Sequence, residues 1–346
     1  MKKLLPLLLA ALYLASCGKT HTIEYPAMES YDSFRVHKIE LTDSATIIHA
    51  GAYAFEEYWF RLQGDKGEYY LAGHNQAEGA SANTIWPHRS YISSKILCDG
   101  VRLYDYACTS EFRGADGEEM CGIGTFCHEF AHVLGLPDLY ETTYSTGAFT
   151  PGEYSAMDSG PYNGDGYVPP TFSSYERYAL EWINPVLVDQ PMTVNMAPLT
   201  RANIAYKVNA SESNPMEYFL LENRQREVWD TYIPGHGMLV WHIDFDSNKW
   251  FYNTVNNTAN HQCVDIIEAD NTATSQTRPG DTFPGTSSVF EFTSKSRPAF
   301  RNWKNEAIDY PITEISESVD GVISFKIKGG GDETSPYYLP APKVKV

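Results

Sequence analysis

The stretch GIGTFCHEFAHVLGLPDLY, residues 122–140, places two histidines, a glutamate and an aspartate within eleven positions. Assigning 100° per residue puts Ile123, Phe126, Cys127, Phe130, Ala131 and Leu134 on one stripe of a helix, the expected core face. His128 and His132, one turn apart, project from nearly the opposite side, with Glu129 beside them. A histidine kept for packing would sit in the apolar stripe, and these two do not. Gly135 can take the positive φ of a helix end, and Pro137 prevents the helix from resuming, so the chain turns back sharply. Asp138 can then approach whatever the two imidazoles hold. Two histidines and one carboxylate leave a fourth position for water, the pattern of a catalytic rather than a structural zinc site. Glu129 is not needed as a ligand and stands where it can take a proton from that water; its plainer reading is a solvated surface charge. Glu176 and Glu181, on a helix further along, are rivals to Asp138 for the third position.

The rest of the chain bounds this reading. At 346 residues and 42% hydrophobic, the chain can bury a core without help from a metal. A formal charge of −18, from 44 acidic and 26 basic side chains, argues against nucleic acid or an anionic membrane surface as partner. Residues 1–17, MKKLLPLLLAALYLASC, combine Lys2 and Lys3 with an apolar run too short to span a bilayer, which reads as an export signal. Its end, Leu14-Ala15-Ser16-Cys17, resembles a bacterial lipobox. The expectation is a protein lipidated at Cys17 and carried to the outer membrane or cell surface, or otherwise secreted, with the N-terminal lipid as its single membrane contact. Cys98, Cys108, Cys121, Cys127 and Cys263 remain after Cys17; no CxxC pair suggests a cysteine-built zinc site.

Strands and loops are expected from about residue 20 to 110, and a second helix from Phe172 to Trp182, capped by Thr171 and stopped before Pro185. From Val186 onward, MTVNMA, IAYKVNA, EYFLLENR, HGMLVWHID, CVDIIEA and GVISFKI alternate or run apolar between turn residues, as in an all-β sandwich. A Gly- and Pro-rich segment, 329–346, reads as a disordered tail. The expected organisation is therefore α+β: a signal at 1–17, a zinc peptidase domain at 18–185 and a β-sandwich at 186–328. Asn163-Gly164-Asp165-Gly166 and Gly280-Asp281, with Asp244 and Asp246, could supply oxygens to Ca2+, but Asn-Gly and Asp-Gly are ordinary turn formers, and turns are the preferred reading. His242 reads as a paired structural residue. No GxSxG elbow, Walker motif or GxGxxG stretch occurs, so serine-hydrolase and nucleotide chemistry have no support.

HEFAHVLGLPDLY is similar to the HExxHxxGxx(H/D) signature of the metzincin metallopeptidases, with Asp138 in place of the commoner third histidine. YSAMDSG, which follows, looks like the methionine turn of that clan. Within it the chain most resembles the immune inhibitor A (thuringilysin) family of bacterial metallopeptidases, through IIHAGAYA, TIWPHRS, GEYSAMDSGPYNGDG, SSYERYALEWI, YFLLENRQREVWDTYIPGHGMLVWHID and GDTFPG. The resemblance implies zinc held by His128, His132 and Asp138, Glu129 as general base, Met157 as an apolar floor, and endoproteolysis of protein substrates by a monomer. It also offers Tyr162 as an oxyanion stabiliser, against the plainer reading of an exposed loop tyrosine. One departure stands out: family members carry a propeptide and a longer first half of the catalytic domain, whereas about thirty residues separate Cys17 from Ile47 here. The expectation is either a minimal cleft or a surface-anchored binding lipoprotein on a degenerate peptidase scaffold.

Overall fold

The computed structural model describes residues 87–98, 100–110, 112–113 and 119–331, together with the backbone of four strands between residues 39 and 74. The export-like segment, Cys17 and residues 332–346 lie outside the described residues. Among those described, no helix is long and apolar enough to cross a membrane. The fold is α+β, and the chain divides into two compact units, Met1–Val133 and Leu134–Val346.

In the first unit, β1 (Ile39–Thr42), β2 (Ala45–Tyr53), β3 (Glu57–Gly64) and β4 (Gly67–His74) form a four-stranded antiparallel sheet in chain order. A second hairpin pairs β5 (His88–Cys98) with β6 (Val101–Cys108), and two short strands, β7 (Phe112–Arg113) and β8 (Glu119–Met120), lead to the helix α1 (Gly124–Leu134). As expected, α1 stops at Gly135, whose φ of +110° few other residues would accept.

Its apolar stripe does not behave as expected. Ile123, Phe126, Phe130 and Leu134 are between 41% and 46% exposed, while Ala131 is fully buried and Glu129 is 8% exposed. The packed side of α1 is the small-residue side, Gly124, Thr125 and Ala131, together with Glu129. Periodicity states which residues share a face; it does not state which face is covered. Part of the exposed stripe covers itself, since the rings of Phe126 and Phe130, one turn apart, stack at 5.8 Å.

The second unit is built on two sheets. Five strands run in the order β14 (Val264–Ile266), β13 (Gly237–Asp244), β12 (Glu217–Arg224), β11 (Tyr206–Asn209) and β9 (Val186–Leu187), antiparallel except where β9 joins β11. The other sheet orders β10 (Met192–Met196), β16 (Ile323–Ile327) and β15 (Ile312–Glu317). β16, last in sequence, is thus the central strand. Val194, Phe325 and Ile315 from one sheet and Val208, Phe219, Leu221 and Val240 from the other belong to one buried cluster. Each such side chain contributes about 1.5–3 kcal/mol by leaving water. All eight residues of β12 are buried, so this strand is covered on both faces. The runs expected to be strands from MTVNMA to GVISFKI are β10 to β14 and β16; β9 and β15 were not anticipated.

The expected second helix is shorter than its pattern. α2 spans Ser174–Ala179, and its cap is Ser173, not Thr171. Ser173 and Glu176 close a capping box, which outcompetes the earlier threonine because both orphan N–H groups are satisfied at once. A buried ionic knot then ties this region to β12. Arg224, fully buried, donates Nε to Asp230 at 2.7 Å and Nη2 at 2.6 Å, and Nη1 to Glu222 and to the Tyr154 carbonyl at 3.1 Å. Glu222 in turn accepts the Ser174 N–H at 2.5 Å, and Asp230 that of Thr171 at 2.8 Å. The segment from Tyr154 to Ser174 is therefore anchored on the sheet through one guanidinium.

Candidate metal centre

α1 and the turn after Gly135 form one continuous piece of chain, and it carries the donors. His128 Nε2 and His132 Nε2 stand 3.1 Å apart, with the two rings at 83° to each other. Two nitrogens bound to one tetrahedral zinc at ~2.05 Å would be separated by about 3.3 Å. The imidazole pair is thus already near chelating geometry. One donor atom from each of His128, His132 and Asp138 lies within 4.8 Å of the others. Nitrogen, nitrogen and carboxylate oxygen form a borderline donor set that suits zinc and leaves one position open.

Asp138 is 5% exposed and is positioned by a residue that the sequence reading missed. Asn253 accepts the Asp138 N–H on Oδ1 at 2.8 Å and donates Nδ2 to Asp138 Oδ2 at 2.6 Å. Its backbone takes a φ of +55°, a region in which asparagine is favoured among non-glycine residues. Two further asparagines extend the grip: Asn256 Nδ2 reaches the Leu139 carbonyl at 2.8 Å, and Asn257 Oδ1 accepts the Thr142 N–H at 2.8 Å. The sequence signal was the cluster FYNTVNN, whose partner lies 115 residues away. Tyr140 also hydrogen-bonds Asp138; burial first, then the Asp138 charge, pushes its hydroxyl well above the usual tyrosine range.

Met157 is fully buried, and its carbonyl accepts the Leu139 N–H at 2.8 Å, joining the methionine segment to the residue after Asp138. Glu176 joins no group of metal-ligating side chains among the described residues. Its fully buried carboxylate accepts from Ser155 Oγ at 2.7 Å, from the Met157 N–H at 3.2 Å and from the Ser173 N–H at 2.6 Å, and burial raises its pKa. Glu181 is exposed and joins no group of metal-ligating side chains among the described residues. Tyr162 lies in a 3-10 segment, Gly160–Gly166, and is 58% exposed. Glu129 acts on Cys108 in the first unit: burial raises that thiol, and the Glu129 charge raises it further.

The aspartates considered for Ca2+, Asp165, Asp244, Asp246 and Asp281, join no group of metal-ligating side chains among the described residues. Asp244 faces His261 at 2.7 Å, Asp246 caps a short helix, α3 (Ser247–Phe251), and Asn163 donates to the Glu153 carbonyl at 2.9 Å. His242 is a structural residue as read: it faces Glu217 at 3.0 Å and lies between the rings of Phe219 and Trp303.

Residues 70–184 match the model of the immune inhibitor A peptidase M6 family, catalytic domain. Over 124 residues, 30% of this chain, the sequence is 32% identical to the pre-pro-metalloprotease PrtV of Vibrio cholerae serotype O1 strain M66-2. The same figures hold for PrtV of the El Tor Inaba strain N16961. The aligned stretch spans 12% of the length of these relatives. The family that the sequence resembles is thus the one matched, and His128, Glu129, His132, Asp138, Met157 and Tyr162 all fall inside the matched segment.

Proposed function

We propose that this chain, carrying an M6 peptidase catalytic segment, is a zinc-dependent endopeptidase acting on proteins. The observation that carries the reading is the 3.1 Å approach of two imidazole nitrogens beside a buried carboxylate. Zinc held by His128, His132 and Asp138 would polarise the scissile carbonyl and lower the pKa of water at the open position. The remaining work falls to the chain. Asn253 and Tyr140 orient Asp138, and His128 and His132 present their Nε2 atoms. Glu129 takes the proton from the attacking water and returns it to the leaving amine. Tyr162, exposed in the segment after Met157, steadies charge on the carbonyl oxygen.

In this reading residues 18–185 form a metzincin-like catalytic domain, residues 186–328 a β-sandwich, and Cys17 the lipid attachment point of an exported monomer. The test compares metal content and casein cleavage in the native protein and Glu129→Ala. Bound zinc in both, with cleavage reduced about 10²–10⁴-fold in the variant, is the expected result. A zinc-loaded native protein that cuts nothing across a broad peptide library would replace the enzyme by the anchored binding lipoprotein.

A further inference from the structure

Glu176 is a fully buried carboxylate whose three hydrogen-bond donors are all neutral. Arg224, the cation of the buried knot, directs its N–H groups to Asp230, Glu222 and the carbonyls of Tyr154 and Thr171 instead. Burying a carboxylate away from a paired cation is costly, and helix capping alone does not account for it. The capping box of α2 uses a single oxygen, Oε2, which accepts the Ser173 N–H at 2.6 Å, and a glutamine closes such a box as a glutamate does. The other oxygen works outside the helix. Oε1 accepts from Ser155 Oγ at 2.7 Å and from the Met157 N–H at 3.2 Å, and Ser155 Oγ accepts the same N–H at 2.9 Å.

Met157 is thereby fixed at its N–H, and its carbonyl takes the Leu139 N–H at 2.8 Å, one residue after Asp138. The Leu139 carbonyl is held in turn by Asn256 at 2.8 Å, on the segment whose Asn253 grips Asp138. All four residues of this relay, Glu176, Ser155, Met157 and Leu139, are 0% exposed, and a packed interior transmits a shift rather than absorbing it. We infer that Glu176 is a positioning residue of the candidate metal centre, holding through Ser155 and Met157 the main chain that carries Asp138, a role that rests on the zinc reading of that centre. Three donors converge on one side chain, so that side chain must be acceptor-only. Glutamine keeps the volume but brings an NH2, which must face either the Ser173 N–H or the Ser155 and Met157 donors. Asn253 holds Asp138 directly; Glu176 acts on the main chain one residue later.

The experiment compares the full chain with Glu176→Gln and Glu222→Gln. Glu222 accepts the Ser174 N–H at the same helix start but bonds neither Ser155 nor Met157, so it reports what loosening α2 does by itself. Zinc affinity is read by competition with a chromogenic chelator, at a temperature where unfolding curves show all three metal-free proteins folded; kcat and KM are read on a casein-derived peptide. Glu176→Gln should weaken zinc about 10–100-fold and lower kcat with KM little changed, while Glu222→Gln keeps the parental zinc affinity. Ser155→Ala, which removes one hydroxyl from the same relay, serves if Glu176→Gln does not fold, with an expected loss of about tenfold. Parental affinity in the folded variant, or an equal loss in Glu222→Gln, would overturn the assignment. A parent that binds zinc and cuts nothing removes the peptidase reading alone, since affinity still decides the role of Glu176; one that binds no zinc removes both.

Discussion

Asp230 and Asp281 are both fully buried aspartates of the second unit, and the chain treats them in opposite ways. Asp230 meets a guanidinium through both oxygens and receives a backbone N–H as well. Neither carboxylate oxygen of Asp281 meets a hydrogen-bond donor among the described residues, and the cation that acts on it is Arg278. The candidate metal centre offers a third case: Asp138 is held by Asn253 and Tyr140 and lies in one group of possible metal ligands with His128 and His132. The difference is between a carboxylate that the chain pairs through directed hydrogen bonds and one that feels its cation, Arg278, without such a bond. Internal pairing makes a rigid anchor that no solute controls.

The comparison breaks first at the knot. Asp230→Ala leaves Arg224 buried with too little compensation and should cost about 3–5 kcal/mol in urea unfolding. A loss below about 1 kcal/mol would mean that the directed pairing of Asp230 does not distinguish it from Asp281. The third case is sharpened by Asn253→Ala, which removes both contacts to Asp138. Zinc affinity should fall about 10–100-fold while the fold persists, measured by competition with a chromogenic chelator; unchanged affinity would show that Asp138 orients itself.

The smallest effect concerns His242 and Glu217, a pair the chain satisfies internally but with titrating groups. Burial holds His242 below its ordinary 6.5 despite Glu217. As pH falls, the unfolded chain therefore takes up that proton first, so stability is complete above pH 6.5 and declines below it. Glu217 is moved in the opposite direction by burial, but hydrogen bonds from His242 and the Trp303 N–H prevail and leave it below 4.5. Its contribution is present above pH 4.5 and is lost as pH falls through the folded value. The His242 contribution cannot exceed about 1.4 kcal/mol per pH unit. Chemical unfolding between pH 7.5 and 5 should show the slope in the native protein and its loss in His242→Gln; a native profile flat over that range would remove this account.

The candidate metal donors were legible because helix geometry is local: a spacing of four residues puts His128 beside His132 whatever else the chain does, and Gly135 announces the turn. The strands were legible for the same reason, at a period of two. What periodicity could not supply is long-range partnership. Asn253 looked like any loop asparagine until it met Asp138, and Glu176 could be weighed as a ligand until Ser155, Ser173 and Met157 were seen to occupy it. The outward turn of Phe126 and Phe130 had the same origin. Arg224 offered the best unused hint, because Glu222 and Arg224 interrupt a strand that is otherwise fit for complete burial.

The strand order of the smaller sheet bears on when this molecule can fold. Met192 of β10 waits for Ile327, whereas β15 emerges just before β16 and bridges Phe292 through Ile312. β10 is thus a lone edge for most of translation. Closing a loop of that length is slow, and it keeps the chain threadable until its last strand emerges.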